Sequence, residues 1–308
     1  MMITNQARSV LKNGMVLMRW IAVVSSSVAA IISTMLPLYG VIDGGQWSAL
    51  FLLLLFSAFL IHGVLTHLLN DYTDHLSGTD ARSPAILSGG SRLIQTGAVP
   101  AETIGRVGKG LAAGLALLAA ALLVTGFVRL GVLLAVGVWA AVSYSLRPLR
   151  TSYYPVAGEW ISTFPSLFFL GLAGPWLALE TVPEWAFQNA LVNALICIAW
   201  VMVHHIPDLR ADARAVPKKQ TSVVWAAERF GLVFSRLPAV IYYVLAGACA
   251  FWLGLERLPA ALGLAVSTAA AIFLIMKMDV EDPEEVSSVE KWLLLLAMST
   301  AVWLGIFV

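Results

Sequence analysis

The chain has 308 residues, 59% of them hydrophobic and only 12% charged. Soluble domains carry about a quarter charged residues, so the composition excludes an ordinary water-soluble globule, and equally a disordered or collagen-like chain. Lys and Arg number 19 against 18 Asp and Glu, and a net charge of +1 provides no overall basic field for nucleic acid. Two cysteines, Cys197 and Cys249, lie inside apolar runs and supply no disulfide framework.

A helix crossing the roughly 30 Å hydrocarbon core needs about 20 mostly apolar residues. Taken in chain order, nine stretches qualify: Leu17–Tyr39, Trp47–Leu69, Leu111–Val128, Leu130–Leu146, Trp160–Leu179, Phe187–His204, Pro238–Leu255, Leu258–Met276 and Trp292–Val308. The first is long and lacks a clear small-residue cleavage site, so it reads as an anchor rather than a signal peptide. The third and fourth are parted only by Arg129; Gly126 and Gly131 beside it permit a tight reversal, and one helix of that length would overrun a bilayer. The expected architecture is therefore all-α: a polytopic membrane protein with nine transmembrane helices and one domain over residues 1–308.

Orientation follows from the basic residues. With the N-terminus cytoplasmic and the C-terminus outside, 17 of the 19 Lys and Arg fall on the inner side; only Arg129 and Arg257 lie outside. Shifting the span count by one would destroy that asymmetry. Two inner loops, about 70–110 and 205–237, are long, polar and charged, whereas the outer connections are short. Loops of that length in a compact protein carry function or are disordered, and these lack low-complexity composition. They follow the second and sixth spans, a placement expected of two related four-helix halves with a ninth helix added.

Each long loop opens on acidic residues. The second span runs into Asn70-Asp71-Tyr72-Thr73-Asp74 and on to Asp80; the sixth runs into Pro207-Asp208-Leu209-Arg210-Ala211-Asp212. If helix continues through them, Asn70 and Asp74 share a face, as do Asp208 and Asp212. Like charges so placed repel and call for a cation. Oxygen donors without Cys or a His triad suit Mg²⁺, which completes its shell with waters and substrate phosphates. Arg82, Arg92, Arg147, Arg150, Arg210, Lys218 and Lys219 lie on the same side. Carboxylates, Mg²⁺ and basic groups at the mouth of an apolar bundle describe a site for a diphosphate with a hydrocarbon tail. His62 and His67, within the second span, read as packing or hydrogen-bonded groups.

These residues resemble the UbiA superfamily of intramembrane prenyltransferases. The N-D-x-x-D motif stands as Asn70–Asp74, the D-x-x-x-D motif as Asp208 and Asp212, and Lys218-Lys219-Gln220-Thr221 follows the second. The run N-D-Y-T-D-H-L-S-G-T-D and Ser88-Gly89-Gly90-Ser91-Arg92 are most similar to 1,4-dihydroxy-2-naphthoate prenyltransferases. Tyr144-Ser145, Pro148, Tyr154 and Gly158-Glu159 add a third likeness. The resemblance implies a UbiA-like bundle with its active site facing the cytoplasm of a bacterial-type inner membrane. It further implies two Mg²⁺ ions on Asn70, Asp71, Asp74, Asp208 and Asp212, bridging the diphosphate of a polyprenyl donor. Arg82, Arg92, Arg147, Lys218 and Lys219 are then expected around the diphosphate, with Asp80 a further acidic candidate. Tyr144 would orient the diphosphate or contact the allylic cation, and Glu159 would position an aromatic acceptor, first of all a dihydroxynaphthoate on the way to menaquinone or phylloquinone.

The chain departs from that pattern at Pro217-Lys218, where the family has Gly-Lys, and at His204-His205-Ile206-Pro207 ahead of the second motif. Pro207 requires Asp208 and Asp212 to occupy a fresh helical turn. Two other activities compete: a terpene cyclase of the same fold, which needs no acceptor, and a cation-coupled transporter. The transporter would place ionisable residues at mid-bilayer on broken helices, whereas the acidic pairs here lie at span ends.

Overall fold

A computed structural model describes residues 12–84 and 86–308. Among these, regular structure is helical apart from one isolated bridge between Tyr39 and Ile42. We number the helices α1 Trp20–Met35, α2 Gly44–Ser77, α3 Ala101–Val124, α4 Val128–Ser145, α5 Gly158–Ala178 and α6 Glu184–His204. Two short helices follow, α7 Leu209–Ala213 and α8 Ser222–Phe230, and then α9 Leu232–Leu253, α10 Leu258–Lys277 and α11 Pro283–Ile306. Eight of these are long and apolar enough to cross a membrane; α1 is apolar but shorter, so eight of the nine predicted spans reach full length. The predicted first span is interrupted at Arg19, whose φ is 44°, and gives way to turns after Met35.

Helix α6 is the axis of the bundle. It packs against α5, α9, α11 and α1, and the outer helices pair with one another as α3 with α4, α9 with α10 and α10 with α11. Ile198, Trp200 and Val203 of α6 form one core with Tyr243, Leu264 and Leu293. Reversal between α3 and α4 takes place at Gly126, whose φ of +90° suits a residue without Cβ.

Three helices start or end well away from the apolar runs. Helix α2 continues to Ser77 and stops at Gly78 in the left-handed conformation, so it carries the whole first acidic motif. At about 1.5 Å per residue its length is about 50 Å, which takes the motif well beyond a 30 Å core. Helix α3 begins ten residues early, at Ala101, behind Pro100. Its first turns lean on the motif: a Cβ at Gly105 would lie 2.6 Å from the Tyr72 ring. Helix α11 begins at Pro283, where Asp282 accepts hydrogen bonds from the Glu284 and Glu285 amides. What was expected as the loop 70–110 therefore reduces to residues 78–100.

Both arginines that broke the charge asymmetry are tied to helix ends. Arg129 donates to the carbonyls of Trp176 and Leu179 at 2.5 and 2.9 Å, covering the end of α5. Arg257 donates to Gln188, to Asn189 and to the Leu304 carbonyl at 2.6, 2.9 and 2.9 Å, joining α6 to α11 at the bundle end away from the acidic motifs.

Candidate active site

Between α2, α4, α5 and α6 lies a chamber of about 530 Å³, within the range of ligand pockets. Its floor and walls are apolar, with Leu54, Leu115, Leu133 and Leu170 among them, and its other end is lined by Asn70, Asp74, Asp80, Asp208 and Lys219. Leu54 and Asp74 lie 20 residues apart on α2, so the chamber follows that helix for about 30 Å. One end is charged and the rest is mostly apolar, with Ser27, His62, His67 and Ser162 among its polar residues.

Helix α2 places the first motif as its periodicity requires. Asn70 donates to Asp74 across one turn at 3.1 Å, and Tyr153 also reaches Asp74, at 3.5 Å. Pro207 ends α6 and restarts the chain: Asp208 stands at the head of α7, and the Asp212 amide donates to the Asp208 carbonyl at 2.8 Å. Lys219 then closes the space between the motifs. Its Nζ lies 2.9 Å from Asp74 and 3.6 Å from Asp212, and all three side chains are buried.

The segment Ser88–Ser91 clasps both motifs from the other side. Ser88 Oγ and the Gly89 amide donate to Asp208 at 3.0 and 3.3 Å, while the Ser91 amide and hydroxyl both donate to Asp71. Gly90 has a φ of +74°, and a Cβ there would lie 2.8 Å from Asp80 and 3.1 Å from Asp71. Only glycine lets this backbone pass between the carboxylates.

Of the residues expected at the site, Asn70, Asp74, Asp208, Tyr144 and Lys219 line the chamber, as does Asp80. Asp212 sits immediately behind Lys219. Asp71 faces away, its oxygens engaged by Ser91. Four of the expected basic residues lie elsewhere. Arg82 is exposed and donates to the Gly78 and Arg214 carbonyls, Arg92 braces the loop through the Asp80 and Ser83 carbonyls, Arg147 is exposed, and Lys218 pairs with Glu228 at the surface. Glu159 is buried beside Ser222 rather than in the chamber wall.

The chamber also holds residues that spacing did not single out for it: Arg19, His204 and His205, together with His62 and His67. His205 meets the Tyr144 hydroxyl at 3.3 Å. His62 is hydrogen-bonded to Ser27 at 2.8 Å and His67 to the Gly63 carbonyl at 3.0 Å, as their packing reading anticipated. Three stretches of wide-wound π-helix, Val24–Val28, Phe59–Thr66 and Gly158–Thr163, each contribute chamber residues: Ser27, His62 and Ser162. Such segments recur at functional sites and leave no mark in hydrophobic periodicity.

The electrostatics of the charged end favour a cation. Carboxylates of Asp74, Asp80, Asp208 and Asp212 gather at the end of the chamber that holds the buried Lys219. Burial, then the neighbouring Asp74 and Asp71, push the Asp80 carboxyl up to about 8; burial raises Asp212 as well, against the pull of Lys219. Burial alone would discharge Lys219, but Asp212 and Asp74 outweigh it and hold its ammonium above the ordinary lysine range. Among the described residues neither Asp212 oxygen has a hydrogen-bond partner. An all-oxygen, over-acidic donor set of this kind fits Mg²⁺, although among the described residues no three His, Cys, Asp or Glu side chains already converge on one point.

A pH effect follows from Asp80. Its raised pKa means that the folded protein binds a proton which the unfolded chain has lost, so stability declines as pH rises toward 8. Burial of His205, lowered in pKa beside Lys219, gives the opposite slope, confined to pH below about 6.5. In chelator, the melting temperature is therefore expected to fall between pH 6.5 and 8, and Asp80→Asn to flatten that fall. A wild-type melting temperature constant over this interval would contradict the charge reading.

Comparison of the chain with protein-family models, with curated proteins and with solved structures returned no match.

Proposed function

We propose that this protein is a Mg²⁺-dependent intramembrane prenyltransferase that moves an isoprenyl chain from a polyprenyl diphosphate to an aromatic acceptor. One observation carries the reading: two acidic motifs and a buried lysine close one end of a long apolar chamber. A ligand complementary to that shape has an anionic, metal-binding head and a hydrocarbon tail. The sequence resemblance to UbiA prenyltransferases points the same way, with a dihydroxynaphthoate as first acceptor. In this reading α1 completes a nine-helix bundle in a bacterial-type inner membrane, N-terminus and acidic motifs on the cytoplasmic side.

Asn70, Asp74, Asp80, Asp208 and Asp212 would hold Mg²⁺, which when bound neutralises charge on the leaving diphosphate. Lys219 contributes a fixed ammonium at the same place, oriented by Asp74 and Asp212 before substrate arrives. Cleavage of the allylic C–O bond leaves its electron pair on the diphosphate and an allylic cation in the apolar chamber. Tyr144 presents an aromatic ring and a hydroxyl tied to His205 at the boundary between charged end and hydrocarbon, where a cation gains from a ring face. The leucine walls exclude water that would otherwise capture it.

Donor recognition is testable without turnover. A non-cleavable geranylgeranyl thiolodiphosphate with Mg²⁺ is expected to raise the melting temperature of the purified protein, and Mg²⁺ or analogue alone to do less. Asp74→Asn is expected to remove the joint effect. A shift that is independent of the metal, or unchanged by Asp74→Asn, would contradict this reading.

A further inference from the structure

A second cavity of about 360 Å³ adjoins the chamber on the side of α1 and α11. Arg19, Gly90, Trp200 and His204 line both cavities and so mark where they meet. At that junction His204 Nδ1 lies 2.7 Å from Glu290 Oε1, and Arg19 Nη2 lies 3.1 Å from His204 Nε2. Glu290 is 1% exposed, and among the described residues its second oxygen has no hydrogen-bond partner. A buried carboxylate half satisfied in this way is costly, and packing alone gives no reason for it.

These contacts settle which nitrogen carries the proton. Arginine only donates, so Nε2 must offer its lone pair; Nδ1 then carries the hydrogen and donates it to Glu290. An imidazole oriented by a buried carboxylate, whose second nitrogen accepts from Arg19 where the two cavities meet, becomes a general base once a substrate hydroxyl takes Arg19's place at that nitrogen. Arg19 stands beside that lone pair, its other bond going to the Leu87 carbonyl. Among the described residues no carboxylate lies within ion-pair distance of Arg19. A proton acceptor beside a guanidinium that has no carboxylate partner among the described residues suits an oxygen that loses a proton and becomes an anion.

We propose that His204 is the catalytic base that ionises the hydroxyl of the aromatic acceptor, with Glu290 positioning it, Arg19 holding the resulting oxyanion, and the second cavity seating the acceptor. This rests on the transferase reading and extends it to the other substrate. As the ring carbon attacks the allylic cation a C–C bond forms, His204 Nε2 takes the hydroxyl proton, and the ring becomes a dienone. Loss of the displaced ring substituent, as H⁺ or as CO₂ from a carboxylated carbon, restores the aromatic electron pair. His204 returns its proton to the oxygen where the substituent leaves as CO₂ or where the ring proton passes to water. No oxidant or reductant is consumed.

The test uses purified protein, Mg²⁺, geranylgeranyl diphosphate and 1,4-dihydroxy-2-naphthoate, reading prenylated product and diphosphate separately. His204→Gln is expected to lower kcat for product by about 10²-fold while leaving the donor KM within twofold. Glu290→Gln, which keeps the shape of the side chain, should lower kcat in the same direction, and Arg19→Gln should raise the acceptor KM, with Arg19→Lys partly restoring it. If His204→Gln proves unstable in detergent, Glu290→Gln and the Arg19 pair decide the matter, folding being checked by the melting shift with the donor analogue. Variants that keep wild-type kcat and acceptor KM beside an active wild type would overturn the base assignment alone. A wild type that forms no prenylated product would overturn the transferase reading, and the base assignment with it.

Discussion

Lys219→Met is expected to destabilise the protein by about 3–5 kcal/mol, the usual cost of stripping one partner from a buried ion pair. Methionine fills a similar volume, so packing changes little and the loss is electrostatic. Asp74 and Asp212 would be left facing one another with no counter-ion, in a pocket where burial already raises Asp212. The loss should show as a lowered melting temperature in chelator and be partly recovered by Mg²⁺, which supplies the missing positive charge. The same replacement at Lys218, one residue earlier, should be nearly silent, because that side chain pairs with Glu228 at the surface. Equal effects at the two lysines would contradict the placement of Lys219 at the centre of the site.

Asp74→Asn and Asp208→Asn are each expected to lower diphosphate release by about 10²–10³-fold, the scale seen when one preorganised electrostatic contact to a developing charge is removed. Asparagine preserves shape at both positions. Asp74→Asn keeps an oxygen for Lys219 and for Asn70, and Asp208→Asn keeps one for Ser88, so the fold should survive while the charge is lost. Asp71→Asn is a different case. Its carboxylate accepts from the Ser91 amide and hydroxyl, so its loss should loosen the clasp over the site and register first in stability. Release retained by either Asp74→Asn or Asp208→Asn would remove that carboxylate from the ionisation step.

Much of this arrangement was legible in the sequence because it depends on local patterns. Apolar runs separated the helices, and Asn70 with Asp74 could be placed on one face by helical spacing alone. Pro207 announced that Asp208 and Asp212 needed a new turn, and α7 provides it. The basic residues were harder. Proximity in sequence favoured Arg82, Arg92, Arg147 and Lys218, yet backbone carbonyls, a surface glutamate or solvent occupy them, and Lys219 alone of the expected basic residues reaches the chamber. Arg19 was counted for orientation only, because its approach to His204 bridges 185 positions of chain that no periodicity relates.

Glu290 escapes a reading by hydropathy for a different reason. Hydropathy began the last helix at Trp292, but Asp282-Pro283-Glu284-Glu285 is an N-terminal cap with acidic first-turn residues, and it was readable. Beginning the helix there puts Glu290 two turns inside it, on the side of Val286, Leu293 and Leu294 that the bundle buries. The three π-helical stretches have no readable signal, since a wider winding leaves the apolar character of the run unchanged.

In the proposed function the chamber ionises a prenyl diphosphate for transfer to an aromatic ring. The most direct measurement is diphosphate release from the purified wild-type protein given geranylgeranyl diphosphate and Mg²⁺, with and without 1,4-dihydroxy-2-naphthoate. Release is expected to require both the metal and the naphthoate, with a prenylated naphthalene product in equal amount. Release without any acceptor, accompanied by a cyclic hydrocarbon or alcohol, would contradict transfer and establish cyclisation. No release from folded protein under either condition would contradict the ionisation chemistry for this donor and acceptor.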